Sequence, residues 1–251
     1  MNVDCNLKVP NHLGLFSSRP VGVVKIEGKK YVAKKHRFTR EGKEPYEYVF
    51  YQKSLEKSKE DGMDKILSMP VHIVHCPDYK IYIYNVISKN FSSKKFYKFS
   101  FEDFIDYTIQ LCLQIYYLNH HLGFFNNDIV MNGKLRNVMI DYHKSGEIKF
   151  DKYHYKIKKH MIKVIDFGQS KTYPNFRTLS FYSKTGFQFK SEVFIVYYLC
   201  FAHYKKSFAD KNYMYQNILN IMKERKKDET LLNFDKTIIN KILSIQKTLK
   251  N

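Results

Sequence analysis

The sequence lacks any apolar run near the roughly 18 residues that a membrane-spanning helix needs. Its first residues, Met1 to Asp4, also lack the charged start and apolar stretch of a secretion signal. We therefore expect a soluble, intracellular protein with no membrane span. With 251 residues, 44% of them hydrophobic, the chain can bury one good core, either as a single domain or as two small lobes.

Cysteine is scarce and dispersed. The four cysteines are Cys5, Cys76, Cys112 and Cys200, and no two of them form a CxxC pair. Such spacing favours neither a zinc site nor a disulfide framework. We therefore expect four free thiols, three of them buried.

Arginine is also rare, although the formal net charge is +19. Clustered basic side chains gain affinity for phosphate backbones by releasing counterions, which on its own would favour nucleic-acid binding. However, only six of the 43 basic residues are arginine, and the lysines accompany many Asn, Tyr, Phe and Ile residues, all of which have AT-rich codons. We interpret the charge chiefly as a source of solubility and weak electrostatic steering.

The apolar pattern divides the chain into a strand-rich first part and a helical second part. It predicts strands at 13–16, 21–26, 30–37, 71–75, 80–86, 138–142 and 161–165. It predicts helices at about 45–57, between an N-cap at Ser100 and a stop at Gly123, from about Glu192 to His203, and twice more before the end of the chain. We expect an α+β fold with a cleft between two lobes: a small antiparallel sheet with one helix in 1–88, and a mainly helical lobe in 89–251.

Two motifs precede or follow predicted strands in the second part. In Lys163-Val164-Ile165-Asp166-Phe167-Gly168, a hydrophobic strand leads to an aspartate at a turn that glycine permits. Upstream, Asn137-Val138-Met139-Ile140 places an amide before another strand. Phosphoryl transfer needs a cation on the phosphates, acidic and amide ligands for a metal ion, and a carboxylate facing the acceptor hydroxyl. The two motifs supply the acidic and amide candidates.

A cationic candidate lies in the first part, in Lys30-Tyr31-Val32-Ala33-Lys34-Lys35. Strand alternation puts Ala33 and Lys35 on the same face. There Ala33 would leave room for the base of a nucleotide, and Lys35 would reach its phosphates. Glu47 is the best acidic partner for this lysine, because Glu47 and Tyr51 lie one helical turn apart beside the apolar face. Glu44 is the alternative partner.

In this order the motifs resemble those of eukaryotic-type protein kinases. Ala33-Lys34-Lys35 is similar to the end of the Val-Ala-Ile-Lys strand, and 22–24 (Gly-Val-Val) to the end of the glycine-rich loop, whose earlier glycines are missing. Asn126-Asn127-Asp128-Ile129 is similar to the catalytic loop, with two asparagines before the aspartate. The Asp166-Phe167-Gly168 run is the most specific of the matches.

The resemblance implies ATP as substrate, Mg²⁺ as metal, and a role for each matching residue. Lys35, Glu47 and Asp128 would be catalytic, with Asp128 as the base. Asn137 and Asp166 would hold the metal, and the nucleotide would contact Gly22, Val24, Ala33, Lys35, Asn137 and Asp166. Asn137 follows Asp128 by nine residues, against five in the family, so that either an insertion loops out or Asn132 is the ligand. Lys134 or Arg136 would supply the positive charge of this loop.

The segment 169–190 corresponds to the kinase activation segment, but no Ala-Pro-Glu anchor closes it. Glu192 is either a remnant of that anchor or a replacement for the aspartate that starts the next family helix. This shortening resembles the divergent kinases of large DNA viruses, of the poxvirus type, and of some bacterial effectors. The resemblance implies a viral protein in the host cytoplasm.

A lysine-rich insert at 144–160 separates the two motif strands, with a turn predicted at Lys144-Ser145-Gly146. Its lysines alternate with Phe150, Tyr153 and Tyr155, a pattern that can hold single-stranded nucleic acid or an acidic partner. An exposed insert without a ligand is the simpler interpretation, and we prefer it.

We interpret the sequence as an ATP-dependent serine/threonine protein kinase that acts on protein substrates. A pseudokinase that serves as a binding or decoy module is the first alternative, because of the missing glycines, the Asn126 substitution and the inserted loop. A small-molecule phosphotransferase is the second alternative, and an unrelated basic nucleic-acid-binding protein is the third.

Overall fold

A computed structural model describes the chain at residues 1–11, 20–38, 42, 46–87, 89–90, 99–125, 129–131, 134–135, 137–142, 146–167, 171–172, 191–203, 216–217, 220–221, 223 and 230–248. The fold is mixed α+β, as predicted. The predicted strand at 13–16 lies outside the described residues, as do Asp128, Asn132, Arg136 and most of 169–190.

The first part of the chain forms a four-stranded antiparallel sheet in the order β1-β2-β4-β3. Its strands are β1 (Val21–Ile26), β2 (Lys29–Arg37), β3 (His72–His75) and β4 (Tyr79–Asn85). Glu27 and Gly28 join β1 to β2 with positive φ angles of 48° and 82°, which suit the twist of a two-residue hairpin. Helix α1 (Tyr46–Glu60) lies between β2 and β3 along the chain and is followed by Gly62, at φ 70°.

The outer face of the sheet carries a small core of its own. Its buried members are Val24, Ile26, Ala33, Val74, Cys76, Ile81 and Ile83, and Val3, Cys5, Leu7 and Val9 pack on them. The N-terminal segment therefore covers this face, and Tyr79 Oη donates a hydrogen bond of 2.8 Å to the carbonyl of Cys5.

A disulfide fastens the N-terminal segment to the sheet. Cys5 and Cys76 are bonded, with their Cα atoms 5.7 Å apart and a sequence separation of 71. The expectation of four free thiols is therefore wrong for this pair, because the fold alone brings the N-terminus across the end of β3. Cys112 and Cys200 are free and buried.

The described helices of the second part are α2 (Phe101–His120), α3 (Glu192–His203) and α4 (Leu231–Thr248). Each follows a hydroxyl N-cap: Ser100 Oγ accepts from the amide of Asp103 at 3.0 Å, Ser191 Oγ from that of Phe194 at 2.8 Å, and Thr230 Oγ1 from that of Asn233 at 3.3 Å. From Phe104 to His120, helix α2 is buried on every side. It is the centre of the main core, which also takes in Phe50 and Tyr51 of α1 and Tyr82 of β4.

The second part also contains short strands. They are β5 (Lys89–Asn90), β6 (Phe124–Phe125), β7 (Val130–Met131), β8 (Lys134–Leu135), β9 (Val138–Asp141), β10 (Glu147–Phe150), β11 (Tyr153–Lys156), β12 (Met161–Val164) and β13 (Lys171–Thr172). Strands β12, β9 and β5 form a sheet in that order, while β10 pairs with β11, β13 with β6, and β7 with β8.

Two buried glutamines of α2 cover the side of β12 that does not pair with β9. Gln110 accepts from the amide of Ile162 at 2.8 Å and donates to the carbonyl of His160 at 3.0 Å. Gln114 accepts from the amide of Val164 at 3.2 Å and donates to the carbonyl of Ile162 at 2.7 Å. The side-chain amides thus replace a neighbouring strand along the segment that leads to Asp166.

The insert between β9 and β12 is a hairpin with one face packed against the core, so the expectation of an exposed insert is wrong for its aromatic face. Ile148, Phe150, Tyr153 and Tyr155 are buried on one face of β10 and β11, and the intervening residues are exposed. The hairpin turns at Asp151 and Lys152, later than the predicted turn, of which only Gly146 is described. Because its aromatic rings are buried, they offer no platform for stacking bases.

No helix within the described ranges combines the length and the apolar character that crossing a membrane requires.

Candidate active site

A lysine of the first sheet meets the aspartate that follows β12. Lys34 Nζ lies 2.5 Å from Asp166 Oδ1, which joins residues 132 positions apart in sequence. The Lys34 side chain is 9% exposed and that of Asp166 is 42% exposed. The pair is therefore a largely buried cation beside a carboxylate that solvent reaches.

The lysine beside Asp166 is Lys34, so the prediction of Lys35 at this place is wrong. Lys35 Nζ lies 3.5 Å from the centre of the Tyr79 ring, a cation–π contact. Tyr79 packs on the outer core of the sheet, beneath the N-terminal segment. Successive residues of a strand face opposite sides, so Lys34 and Lys35 occupy different environments although they are neighbours in sequence.

The residues of β1 and β2 that were predicted to contact the nucleotide also lie on the face opposite to Lys34. Gly22 pairs with Ala33 in the β1–β2 register and Val24 pairs with Tyr31, which puts them on the outer face together with Lys35. The opposite face, on the side of Lys34, carries Val21, Val23, Val32, Tyr82 and Tyr84. The predicted contacts of Gly22, Val24 and Ala33 with a nucleotide beside Asp166 are therefore corrected: these residues serve the outer core.

Asn137 and Asp166 lie side by side at the ends of paired strands. Val138 of β9 pairs with Val164 of β12, and just beyond them the amide of Ile165 donates to the carbonyl of Asn137 at 2.8 Å. Both Asn137 and Asp166 have left-handed backbones, with φ of 55° and 59°. This conformation is uncommon outside glycine and is enriched at asparagine and aspartate. The fold thus brings together the two predicted metal ligands.

Phe167, the residue after Asp166, is buried against helix α1. Its ring stacks on Phe50 with 4.3 Å between the centroids, and Tyr51 meets it edge-on at 6.3 Å. Phe50 in turn meets Phe124 of β6 edge-on at 4.5 Å. An aromatic column therefore joins α1, the Asp166 turn and the strand that precedes the predicted catalytic loop.

Two further predicted residues are only partly covered by the structure. Glu47 belongs to α1, one turn before Tyr51, and its side chain lies outside the described part. Asp128 also lies outside it, three residues after β6. Strand β6 pairs with β13, so the segments that lead into Asp128 and away from Asp166 are neighbours.

Buried polar side chains of α2 and α3 hold strand β6 in place. Asn119 Nδ2 of α2 donates to the carbonyl of Phe124 at 2.8 Å and to Glu192 Oε2 at 2.9 Å. Glu192 is buried at the first turn of α3. Glu192 is the first residue of α3, which agrees with the interpretation in which it starts that helix. Nothing in its sequence neighbourhood indicated Asn119 as its partner.

Nucleophilic catalysis by serine or cysteine has no support among the described residues. Ser191 Oγ donates to Asp235 Oδ1 at 2.5 Å, and His120 Nε2 lies 2.7 Å from the other oxygen, so the aspartate separates the hydroxyl from the imidazole. Burial raises the pKa of the Cys200 thiol to about 12 and the pKa of Cys112 well above its usual value. These groups hold α2, α3 and α4 together.

A cavity of about 530 Å³ lies away from the Lys34–Asp166 pair. The end of α1, the segment 64–71 and one face of β9 and β12 line it, with Asp141 and Lys163 among the lining residues. Lys163 Nζ donates to the carbonyl of Lys65 at 2.8 Å. Because neither Lys34 nor Asp166 lines this cavity, we do not assign it to the candidate active site.

The site brings a cation from β2 to a carboxylate and an amide that lie at the adjoining ends of β12 and β9. Among the residues that the structure describes, no group of three or more His, Cys, Asp or Glu side chains is placed to hold a metal ion. Any metal here would therefore take its protein ligands from Asp166 and from amide oxygens. No family model matches the chain, and no curated protein matches it.

Proposed function

We propose that the chain is an ATP-dependent serine/threonine protein kinase with a two-lobed, protein-kinase-like fold. One observation carries the proposal: Lys34 of the sheet pairs with Asp166, beside Asn137, at the end of a strand pair in the helical part. Phosphoryl transfer relies on positioning and electrostatic stabilisation, so a cation and oxygen ligands at one point are the groups it needs. The sequence order of these groups matches that of the family.

In this proposal Lys34 takes the role predicted for Lys35. Its ammonium would bind the phosphates of ATP, and its pairing with Asp166 would hold both groups in place before the nucleotide arrives. Val32, which lies two residues before Lys34 on the same face of β2, would border the nucleotide base. Glu47 remains the proposed acidic partner of the lysine, since it lies one turn before Tyr51 on α1.

The donor set fits Mg²⁺, which prefers oxygen ligands and needs few of them from the protein. Asp166 and Asn137 would hold the ion, whose charge would offset that of the phosphates. Asn132 stays as the alternative to Asn137. Asp128, in the loop after β6, would accept the proton of the acceptor hydroxyl on a protein substrate.

A pseudokinase is the second candidate, and the placement of Gly22 favours it. The only glycine left from the glycine-rich motif pairs with Ala33 in the β1–β2 register, on the face opposite to Lys34. Close backbone contacts to phosphate from this position are therefore lost, which would weaken nucleotide binding. Such a protein would act as a binding or decoy module.

A protein substrate follows from the kinase proposal, and the viral resemblance suggests the host cytoplasm. The exposed lysines of the β10–β11 hairpin, Lys149, Lys152 and Lys156, could contact an acidic partner. Nucleic acid would have to bind there through phosphate contacts alone, because the rings of the hairpin are buried.

The neighbouring lysines provide a matched test. We expect Lys34→Met to lower autophosphorylation with Mg-ATP by at least about a hundredfold, because a preorganised charge at the reacting groups is typically worth that much. Lys35→Met, which removes the same charge from the outer face, should change it less than about threefold. Both variants should be compared with Asp166→Asn by phosphate incorporation and by the shift in Tm with Mg-ATP.

Three outcomes would contradict the proposal. If the wild-type chain shows neither phosphate incorporation nor a nucleotide-dependent rise in Tm, the kinase and the nucleotide site both fail. If Mg-ATP raises Tm but no phosphate is transferred to any protein, the pseudokinase is the better description. Equal losses in Lys34→Met and Lys35→Met would show that the Lys34 pair has no special role.

A further inference from the structure

Two tyrosines join helix α1 to the sheet directly behind the candidate site. The hydroxyl oxygens of Tyr51, on α1, and Tyr84, on β4, lie 2.7 Å apart. Tyr84 pairs with Val32, two residues before Lys34, and the next tyrosine of the strand, Tyr82, pairs with Lys34 itself. The bond therefore reaches the same sheet face that presents the lysine.

The same helix holds the turn that carries Asp166. Tyr51 contacts Tyr82 at 5.5 Å, Tyr84 at 6.3 Å and Phe167 at 6.3 Å between ring centroids. Phe50, its neighbour in sequence, stacks on Phe167. Rotating α1 against the sheet would break the hydroxyl pair and move Phe50 and Tyr51 away from Phe167. Asp166 precedes Phe167, so the rotation would also change its distance to Lys34.

We propose that the Tyr51–Tyr84 hydroxyl pair is a positioning device that sets the rotation of α1 and so holds the Asp166 turn in reach of Lys34. The tyrosines touch neither reacting atom in this scheme, and they act through Phe167. The consequence for catalysis rests on the proposed function, whereas the coupling between the pair and the Asp166 turn does not.

Single hydroxyl deletions test the coupling without nucleotide. Tyr51→Phe and Tyr84→Phe keep both rings, and Tyr48→Phe is the matched control, because its hydroxyl lies on the same helix and accepts from Gln52 of that helix at 2.7 Å. The readout is hydrogen exchange at the amide of Ile165, which bonds Asn137 beside Asp166. We expect about fivefold faster exchange in either single variant, the factor that one hydrogen bond of ordinary net strength represents.

The double variant Tyr51→Phe/Tyr84→Phe should exchange no faster than the singles, because both remove the same bond. Tyr48→Phe should leave the Ile165 amide unchanged. Unchanged exchange in the single variants, effects that add in the double variant, or an equal effect in Tyr48→Phe would each overturn the proposal.

Kinetics of phosphate transfer provide the functional arm. A positioning role predicts that kcat and kcat/KM for ATP fall together, about fivefold, in Tyr51→Phe and Tyr84→Phe. A rise in KM at constant kcat would instead make Tyr84 a plain contact for the nucleotide and would overturn the positioning role. If the wild-type chain transfers no phosphate, the proposed function fails, and hydrogen exchange alone decides the role of the tyrosines.

Discussion

Breaking the Cys5–Cys76 disulfide should destabilise the protein substantially. The bond closes a loop with a sequence separation of 71, which restricts the unfolded chain far more than the folded one. In the chain-entropy treatment such a loop corresponds to about 15 cal/mol/K, or about 4 kcal/mol at 25 °C. The unfolding equilibrium constant should then rise roughly a thousandfold on reduction.

Urea unfolding with and without dithiothreitol measures this effect. The urea midpoint of the wild-type protein should fall on reduction. The midpoint of Cys5→Ser/Cys76→Ser should equal that of the reduced wild-type protein and should not change with dithiothreitol. Cys200→Ala is the control: it removes a free buried thiol, so its own midpoint is lower but its response to dithiothreitol should persist. Alkylation in urea should label two thiols before reduction and four after it.

The reasoning would be refuted by four alkylated thiols in the unreduced protein, or by a midpoint that dithiothreitol leaves in place. The N-terminal segment keeps other contacts in the reduced state, among them the bond from Tyr79 Oη to the Cys5 carbonyl and apolar packing from Leu7 and Val9. The entropy argument concerns the unfolded state, however, and those contacts do not change it.

Two further predictions concern the polar groups around α2. Gln114→Leu should lower the free energy of unfolding by at least about 2–3 kcal/mol, because it leaves the amide of Val164 and the carbonyl of Ile162 buried without their partner, and urea unfolding measures this loss. The pKa of Asp106 is raised by burial, which outweighs hydrogen bonds from Tyr155, Lys158 and Gln110, so the wild-type chain loses stability as pH rises from near 4 through the raised value. Asp106→Asn has no such titration, so the difference in unfolding free energy between the wild-type chain and this variant should shrink between pH 4 and pH 7. The expected decrease is about 1.4 kcal/mol for each unit by which the pKa of Asp106 is raised. A difference that stays constant or grows would contradict the raised pKa of Asp106.

Periodic patterns predicted the regular elements well, because local side-chain spacing determines them. Strand β1 spans 21–26 as predicted, and α2 begins after Ser100 and ends three residues before Gly123, which has φ 69°. The hairpin at 147–156 shows the limit of the same reasoning. Its alternation of lysine and aromatic residues was visible, but the pattern alone could not show that the aromatic face packs on α2.

Contacts between distant segments were beyond the sequence. Gln110 and Gln114 lie four residues apart on α2, the spacing of one helical face, yet only the position of β12 explains why two polar side chains are buried there. The pairing of Cys5 with Cys76 and the support of β6 by Asn119 depend on the fold in the same way. Each of these contacts joins residues at least five positions apart, and no local sequence pattern predicts that the two residues meet.

The sequence predicted Lys35 beside Asp166, whereas the structure has Lys34 there, and this difference has a physical cause. A shift of one residue turns every side chain of a strand to the other face, and β2 carries lysine at both positions. Two features outside β2 match these faces: Ala33 belongs to the outer core on which the N-terminal segment packs, and Asp166 pairs with Lys34 on the other side. Since Ala33 faces outward, Lys35 must as well, and Lys34 is left for the site. The two lysine variants therefore test the face assignment of the whole sheet as well as one side chain.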